Sequence, residues 1–108
     1  MEKRKKGRYP KRLFVRFGKE KPDHIGFTQD ISATGIFVKS NFSFPPPTRL
    51  KVELTLPDET VIECHGVVQW AKKVPPALSR LVKKNGMGIA FLEIPLPYKA
   101  LIEMLKLD

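Results

Sequence analysis

The sequence has few of the residues that form disulfides and metal sites. It contains one cysteine, Cys64, and two histidines, His24 and His65, among 108 residues. A single cysteine cannot form a disulfide within the chain, and no Cys/His cluster has the spacing of a zinc site. We therefore expect no metal site and no cofactor.

Segments that would direct the chain to a membrane or to export are also lacking. No apolar run approaches the ~18 residues that a membrane-spanning helix needs. The basic residues between Met1 and Arg12 are not followed by the apolar segment of a signal peptide. We therefore expect a cytoplasmic protein without a membrane span, and a chain of 108 residues has room for one domain.

Familiar catalytic motifs are missing as well. There is no glycine-rich phosphate loop preceding Lys-Ser/Thr, and there is no His-Glu-x-x-His motif. His65 follows Cys64 directly, but neighbouring residues of a β-strand point to opposite faces, so the two side chains are not expected to form a catalytic pair. We therefore expect that the protein is not an enzyme.

Positive charge is what the sequence has in excess. The formal net charge is +9. Residues 1–22 carry ten basic and two acidic residues, whereas residues 23–108 carry ten and nine. A block of like charges repels itself and usually serves as an interaction tail, so an anionic partner is expected. We divide the chain into a flexible basic arm, residues 1–11, and a folded domain, residues 12–108.

Short segments with a β-strand pattern, separated by turn residues, make up most of the folded domain. In the clearest one, Thr48 to Leu56, apolar and polar residues alternate. After a turn at Pro57 a return strand is expected from about Thr60 to Lys72, with Cys64 and Trp70 in the core. The other predicted strands are Arg12 to Gly18, Gly26 to Asp30, Gly35 to Ser40 and Gly88 to Leu92. Six short strands predict an all-β fold, a small antiparallel β-barrel.

Two helices are predicted in addition to the strands. Prolines are tolerated in a first helical turn, and the sequence after Pro75 favours a short helix near residues 76–83. Tyr98, Leu101, Ile102 and Leu105 follow the spacing i, i+3, i+4 and i+7, which puts them on one helix face. A C-terminal helix near residues 97–106 is therefore expected to pack against the barrel.

The basic arm has the chemistry of an anion-binding segment. Arg4, Lys5 and Arg8 lie within it, and Arg12 follows it directly. The planar guanidinium group of arginine donates paired hydrogen bonds to a phosphate or to the O6/N7 edge of guanine, and it also stacks on flat rings. These properties fit a nucleotide, although a solvated basic tail has the same composition.

A polar motif, Asp-x-Ser-x-x-Gly, follows some twenty residues later. Asp30 offers an acceptor for the N1–H and N2–H₂ edge of guanine, and Ser32 offers a hydroxyl group. Gly35 permits unusual backbone angles or a close approach of a ligand. The same residues are also common turn chemistry. The residue types therefore fit a guanine nucleotide, and they fit an ordinary turn as well.

The two motifs, in this order and followed by the segment from Asn85 to Phe91, resemble the PilZ domain family. The resemblance extends over nearly the whole chain. It implies a six-stranded antiparallel barrel that binds the bacterial second messenger cyclic di-GMP. Many relatives have a glycine where this sequence has Thr34, which affects backbone freedom beside the ligand.

The resemblance also implies roles for individual residues. Arg4 and Arg8 form the Arg-x-x-x-Arg motif and would hold guanine and phosphate. The receiving surface on the barrel would consist of Asp30, Ser32 and Gly35, with Lys5 and Arg12 adding charge. Arg8 and Arg12 have the same spacing as Arg4 and Arg8. We prefer the earlier pair, because Arg12 begins the first predicted strand.

The function implied is that of a receptor rather than a catalyst. The arm would become ordered over the ligand, and an unidentified protein effector would recognise the changed surface. One alternative is a nucleic-acid-binding module, which the nearly neutral folded domain and the negative charge of Asp30 disfavour. Another is a PilZ-like adaptor that needs no ligand. The sequence leaves both a monomer and a homodimer open.

Overall fold

The computed structural model describes residues 7–72 and 85–107. The short helix expected near residues 76–83 lies outside this part of the chain. Within it the structure has seven β-strands and one α-helix. They are β1 (Arg8–Pro10), β2 (Phe14–Gly18), β3 (His24–Ser32), β4 (Gly35–Ser40), β5 (Arg49–Thr55), β6 (Val61–Lys72), β7 (Asn85–Phe91) and α1 (Leu96–Lys106).

Strands β2 to β7 form a closed antiparallel barrel. They follow the order β3-β2-β5-β6-β7-β4, and β4 pairs back onto β3. In an open sheet, β3 and β4 would be edge strands with unpaired backbone N–H and C=O groups. The pairing of β4 with β3 satisfies these groups. The six-stranded barrel predicted from the sequence is confirmed.

Strand β1 is an outer strand that the sequence analysis did not find. Arg8–Pro10 pairs with β3, with Arg8 opposite Ser32 and Pro10 opposite Asp30. Strand β2 pairs with the beginning of β3 on the same edge, so β1 continues the line of β2 after a break. Part of the segment that we assigned to the basic arm is thus a strand. Three residues that include a proline carry no alternation by which a strand could be recognised.

Thr28 fills the break between β1 and β2. Its side chain is 2% exposed. The hydroxyl group accepts a hydrogen bond from the Leu13 N–H at 2.8 Å and donates one to the Lys11 carbonyl at 2.6 Å. Because these backbone groups have no ladder partner in the break, the threonine supplies the hydrogen bonds that a continuous strand would have made.

The barrel interior is filled by alternate residues of the strands, as the period-two pattern predicts. Leu50, Val52 and Leu54 of β5 are at most 1% exposed. Helix α1 packs on this core and ends at Lys106, as expected. The core-forming side chains of α1 are Tyr98, Leu101 and Ile102.

The β5–β6 hairpin is confirmed, but the placement of Trp70 in the core is wrong. Cys64 is buried as predicted, whereas Trp70 is 43% exposed. Val68 pairs with Ile89 and Trp70 with the preceding residue of β7, Gly88, so Gln69 is an extra residue in β6. Such a β-bulge breaks the alternation, and the residue after it changes to the other face of the sheet.

Candidate functional site

A row of paired residues crosses the outer surface of the barrel between β1 and β6. Asp30 lies opposite Pro10 on one side and Phe37 on the other, and Phe37 and Trp70 both lie opposite Gly88. Directly opposite residues in an antiparallel sheet project their side chains from the same face. The side chains of Asp30, Phe37 and Trp70 therefore share one surface.

Two β-bulges place residues on this surface. In β3, Thr28 pairs with Val38 and Asp30 with Phe37, so Gln29 is an extra residue, as Gln69 is in β6. Asp30 lies two positions after the buried Thr28, so in a regular strand its side chain would point into the barrel. The bulge turns the carboxylate outward, which is a common use of bulges near functional sites.

Arg8 and Asp30 meet on this surface although 22 positions separate them in the sequence. The Arg8 Nη2 group donates to Asp30 Oδ1 at 2.6 Å. The two side chains are 36% and 24% exposed. The pairing of β1 with β3 puts Arg8 opposite Ser32, so both predicted motifs come together through backbone register. A guanidinium group has five N–H donors, and Asp30 occupies only part of this capacity.

The turn between β3 and β4 is fixed from two sides. Ser32 Oγ donates to the Gly35 carbonyl at 3.3 Å and accepts from the Thr34 N–H at 3.4 Å. From α1, the Tyr98 hydroxyl donates to the Ser32 carbonyl at 2.5 Å and approaches the Gly35 carbonyl at 3.3 Å. Burial raises the pKa of the Tyr98 phenol far above its usual range, so the hydroxyl stays protonated. Tyr98 was predicted only as a core residue, and no sequence signal distinguishes its hydroxyl contact.

Gly35 is required by the packing of the barrel. A Cβ atom at this position would lie 2.3 Å from the Ile89 carbonyl oxygen on β7. Such a contact is far shorter than a van der Waals distance, so a side chain would push β4 and β7 apart. The sequence left open whether Gly35 is needed for unusual backbone angles or for a close approach. The structure supports a close approach, and the group that approaches Gly35 is the backbone of β7.

The other predicted site residues lie apart from the Arg8–Asp30 pair or outside the described residues. The Arg12 guanidinium carbon lies 4.0 Å from the centroid of the Phe27 ring, in a cation–π contact. Arg4 and Lys5 belong to the part of the chain that the structure does not describe. The structure thus brings together Arg8, Asp30, Ser32 and Gly35.

All of these residues except Asp30 border a shallow pocket of about 140 Å³. Arg8, Ser32 and Gly35 line one side, and Gln69 and Trp70 of β6 line the other. The volume is below the ~300–1,000 Å³ of typical pockets that enclose a small ligand. Gln69 and Trp70 were not among the predicted site residues, because the alternation of β6 placed Trp70 inside.

A larger cavity of about 470 Å³ is bordered by Cys64 and His65. Burial, together with the charge of Glu93, raises the pKa of the Cys64 thiol to about 11, so the reactive thiolate is scarce at neutral pH. His65 Nδ1 lies 3.0 Å from Glu93 Oε2. Three carboxylates, those of Glu20, Glu53 and Glu63, and two lysines, Lys21 and Lys51, also border the cavity, so the charge of its lining is mixed.

Neither metal ligands nor a membrane span are found in the part of the chain that the structure describes. Residues 7–72 and 85–107 contain no group of three or more His, Cys, Asp or Glu side chains that could hold a metal ion. No helix among them is long and apolar enough to cross a membrane.

The family model described as PilZ domain matches residues 2–107. The chain belongs to the PilZ domain family. This PilZ domain is similar to the structure of the Bacillus subtilis inhibitor of motility, MotI/DgrA, with a TM-score of 0.71 and 25% sequence identity. The similarity covers 96% of this chain and 49% of that one, so the domain spans about half the length of its structural relative. No curated protein matches the chain.

The PilZ domain family has a general function. PilZ domains are in general non-enzymatic receptor domains for cyclic di-GMP. In this PilZ domain, Arg8 of the first predicted motif contacts Asp30 of the second. Among the described residues, Arg8, Asp30, Ser32 and Gly35 of the two motifs are neighbours in space.

Proposed function

We propose that this PilZ domain binds cyclic di-GMP on the surface formed by β1 and β3 and the turn before β4. The contact of 2.6 Å between Arg8 and Asp30 is the observation that carries the proposal, because it joins the two motifs on an exposed surface. The nucleotide is bound and not converted. We expect the receptor to act in the bacterial cytoplasm.

Each group on the surface has a complementary group on the ligand. The N–H donors of Arg8 that Asp30 does not use fit a phosphate or the O6/N7 edge of guanine. The Asp30 carboxylate accepts from the N1–H and N2–H₂ groups of guanine. Arg4 and Lys5 would add donors and positive charge from the arm, as the family resemblance implies.

Strand β1 is short and is anchored by its pairing with β3. Such a strand fits a sensor whose N-terminal arm changes conformation when the ligand binds. Strand β1 has three residues and, within residues 7–72 and 85–107, pairs with β3 alone, so few hydrogen bonds hold it there. A dianionic ligand bound to Arg8 would add contacts to this strand and order the arm around itself. We expect an unidentified protein partner to recognise the ordered arm together with the neighbouring barrel surface.

Isothermal titration tests the proposal directly. The purified protein is titrated with cyclic di-GMP, with GTP and with a short single-stranded oligonucleotide, each at two salt concentrations. We expect saturable binding of cyclic di-GMP that exceeds the binding of the other two. Binding of the oligonucleotide alone, with a steep loss at higher salt, would establish the nucleic-acid alternative instead. Absence of all binding would favour an adaptor that needs no ligand.

Arg8→Ala is the first variant to compare. We expect it to lose most of the affinity for cyclic di-GMP while its far-ultraviolet circular dichroism stays that of the folded barrel. Arg16→Ala is the matched control, because Arg16 is an exposed arginine on β2 that contacts Pro22, between β2 and β3, and Glu53 on β5, away from the pocket. Equal affinities of the Arg8→Ala and Arg16→Ala proteins would contradict the proposal.

A further inference from the structure

Helix α1 has a second apolar face, which takes no part in the core. Its first face packs on the barrel through Tyr98 and the other buried residues. Away from the barrel, apolar residues recur at the spacing i, i+4, i+8 and i+11, which puts them on one side of a helix. They are Leu96, Ala100, Met104 and Leu107. Leu96 is 75% exposed, Met104 64% and Leu107 86%, so the second face presents three large apolar side chains.

Apolar surface continues from this face onto the barrel. A groove of about 400 Å³ lies between α1 and the turn that joins β5 to β6. Met104 lines it from the helix, and Leu56 and Pro57 line it from the turn. Two residues of opposite charge, Lys11 and Asp58, also line the groove. The exposed apolar surface is therefore wider than one helix face, and a lysine of the basic arm borders it.

The basic arm enters the barrel at the same end. Arg8 lies opposite Ser32, the last residue of β3, so the chain enters β1 where β3 ends. The Tyr98 hydroxyl of α1 donates to the Ser32 carbonyl, which places the helix at this end too. Residues 1–11 contain six basic residues and one acidic residue. Strong positive charge thus adjoins the exposed apolar face of α1.

We propose that this end of the protein binds the surface of an anionic membrane, with the exposed face of α1 among the lipid headgroups and the basic arm on their phosphates. The inference goes beyond the binding of cyclic di-GMP and does not depend on it. Helices that lie in a membrane interface combine an apolar face with basic residues beside it. One such signal gives only marginal binding, whereas an apolar contact together with a basic segment anchors a protein more firmly.

Charge favours a lipid surface over a second copy of this chain. A symmetric contact through α1 would bring two basic arms together, and like charges repel. An anionic leaflet attracts the same arm, and each lysine or arginine close to it strengthens binding by about fivefold. Asp58 and Glu59 of the turn between β5 and β6 oppose this attraction, but the basic residues of the arm outnumber them.

Sedimentation with lipid vesicles tests the proposal. The full chain is mixed with vesicles of phosphatidylcholine alone, and with vesicles of two parts phosphatidylcholine to one part phosphatidylglycerol. We expect binding to the anionic vesicles only, and we expect this binding to weaken as salt is added, because salt screens the charge of the arm. Absence of binding to the anionic vesicles at low salt would overturn the proposal.

Met104→Glu separates the contact made by α1 from general attraction to the arm. A carboxylate in the apolar face should weaken binding to the anionic vesicles by about tenfold or more, since the side chain no longer gains from leaving water. Ile25→Glu is the matched control. It adds the same charge, and Ile25 is 58% exposed near the start of β3, at the other end of that strand from Ser32. We expect a loss of at most about fivefold in this control. Equal losses in the two variants would contradict a contact through α1.

Folding and self-association are measured on the same proteins. Far-ultraviolet circular dichroism shows whether Met104→Glu keeps the barrel. If it does not, Leu107→Glu replaces it, because Leu107 follows the helix and is 86% exposed. Analytical ultracentrifugation without vesicles tests the second copy as the occupant. A wild-type dimer that the Met104→Glu change converts to monomers would make this face an interface between copies and would overturn the membrane proposal.

Discussion

Arg8 and Asp30 satisfy one another before any ligand binds. Both side chains are partly exposed, and ion pairs of this kind contribute about 0–1 kcal/mol to stability. Because the pair contributes little to stability, a ligand can replace Asp30 as the partner of Arg8 at a small cost in free energy. For the same reason, Arg8→Ala should affect binding far more than folding, so the two effects are separable in experiment.

The buried thiol of Cys64 predicts how stability changes at alkaline pH. Burial, and then the charge of Glu93, raises the pKa of this thiol from 9.0 to about 11. The folded state thus favours the protonated thiol. The resulting stabilisation is fully present below the pKa of the unfolded chain and is lost as the pH rises through that of the folded state. Between about pH 8.5 and pH 11.5 we expect a loss on the order of 2 kcal/mol from this group.

Urea denaturation under reducing conditions measures this loss, with Cys64→Ala as the comparison. The alanine variant loses packing, which lowers its stability by an amount that does not depend on pH. The change with pH in the difference between the two profiles therefore gives the contribution of thiol ionisation to the free energy of unfolding. Tyr98 contributes in the same direction in both proteins. Parallel profiles for the wild type and the variant would contradict the prediction.

Helix α1 reaches the site through one side chain. Tyr98 is fully buried, packs edge-to-face on Phe91 at a centroid distance of 5.1 Å and donates from its hydroxyl to the Ser32 carbonyl. The helix thus holds the turn between β3 and β4 from inside the barrel. A displacement of this turn on binding would be transmitted to α1 through this hydrogen bond.

Tyr98→Phe tests the connection between the helix and the turn. The ring is kept, but the Ser32 carbonyl loses its donor, so we expect the free energy of unfolding to fall by about 1–2 kcal/mol. The affinity for cyclic di-GMP should fall as well, because the turn loses its support. Urea denaturation and titration calorimetry measure the two effects. Tyr9→Phe, the change of the other tyrosine, should alter stability by less than about 0.5 kcal/mol. An equal change in both variants would refute the assignment.

Two strands use the same device to expose a residue. The bulges at Gln29 of β3 and Gln69 of β6 each follow a buried residue, and each turns the next side chain outward. One exposes Asp30 and the other exposes Trp70. A regular strand in either place would have put a carboxylate or an indole ring inside the barrel, so the bulges are required for the surface that we propose as the site.

At the scale of the whole molecule, the uneven charge predicts a modest dependence of binding on salt. The excess charge lies in residues 1–22, and the rest of the chain is nearly neutral. The Debye length falls from ~10 Å at 0.1 M salt to ~3 Å at 1 M, which screens the arm from a ligand on the surface. Since few charged groups contact a dinucleotide, we expect the affinity to fall severalfold, and less than about tenfold, between ~0.1 M and ~0.5 M NaCl.

Titration calorimetry at several salt concentrations measures this dependence. A single-stranded oligonucleotide serves as the comparison, because binding along a phosphate backbone releases many counterions and gives a steep slope. A slope for cyclic di-GMP as steep as that for the oligonucleotide would show that general attraction to the arm, and not the paired surface of β1 and β3, dominates binding.

The sequence by itself determined the fold class and the family. Alternation in Thr48 to Leu56 predicted a strand with one buried face, and the apolar spacing from Tyr98 onward predicted helix α1. Both are confirmed because local backbone geometry fixes which side chains share a face. The two motifs and their order were sufficient to indicate the PilZ family, since those residue types can be read without knowing their positions in space.

Only the tertiary structure decided which side chains form the surface. The exposure of Trp70 depends on a bulge, and a bulge is defined by the partner strand against which one residue is extra. Strand β1 exists because β3 offers an edge beyond the end of β2, and Gly35 is needed because β7 passes close by. The hydroxyl of Tyr98 meets Ser32 across 66 positions of the chain. Each of these features depends on contacts between distant segments, and a local pattern carries no information about them.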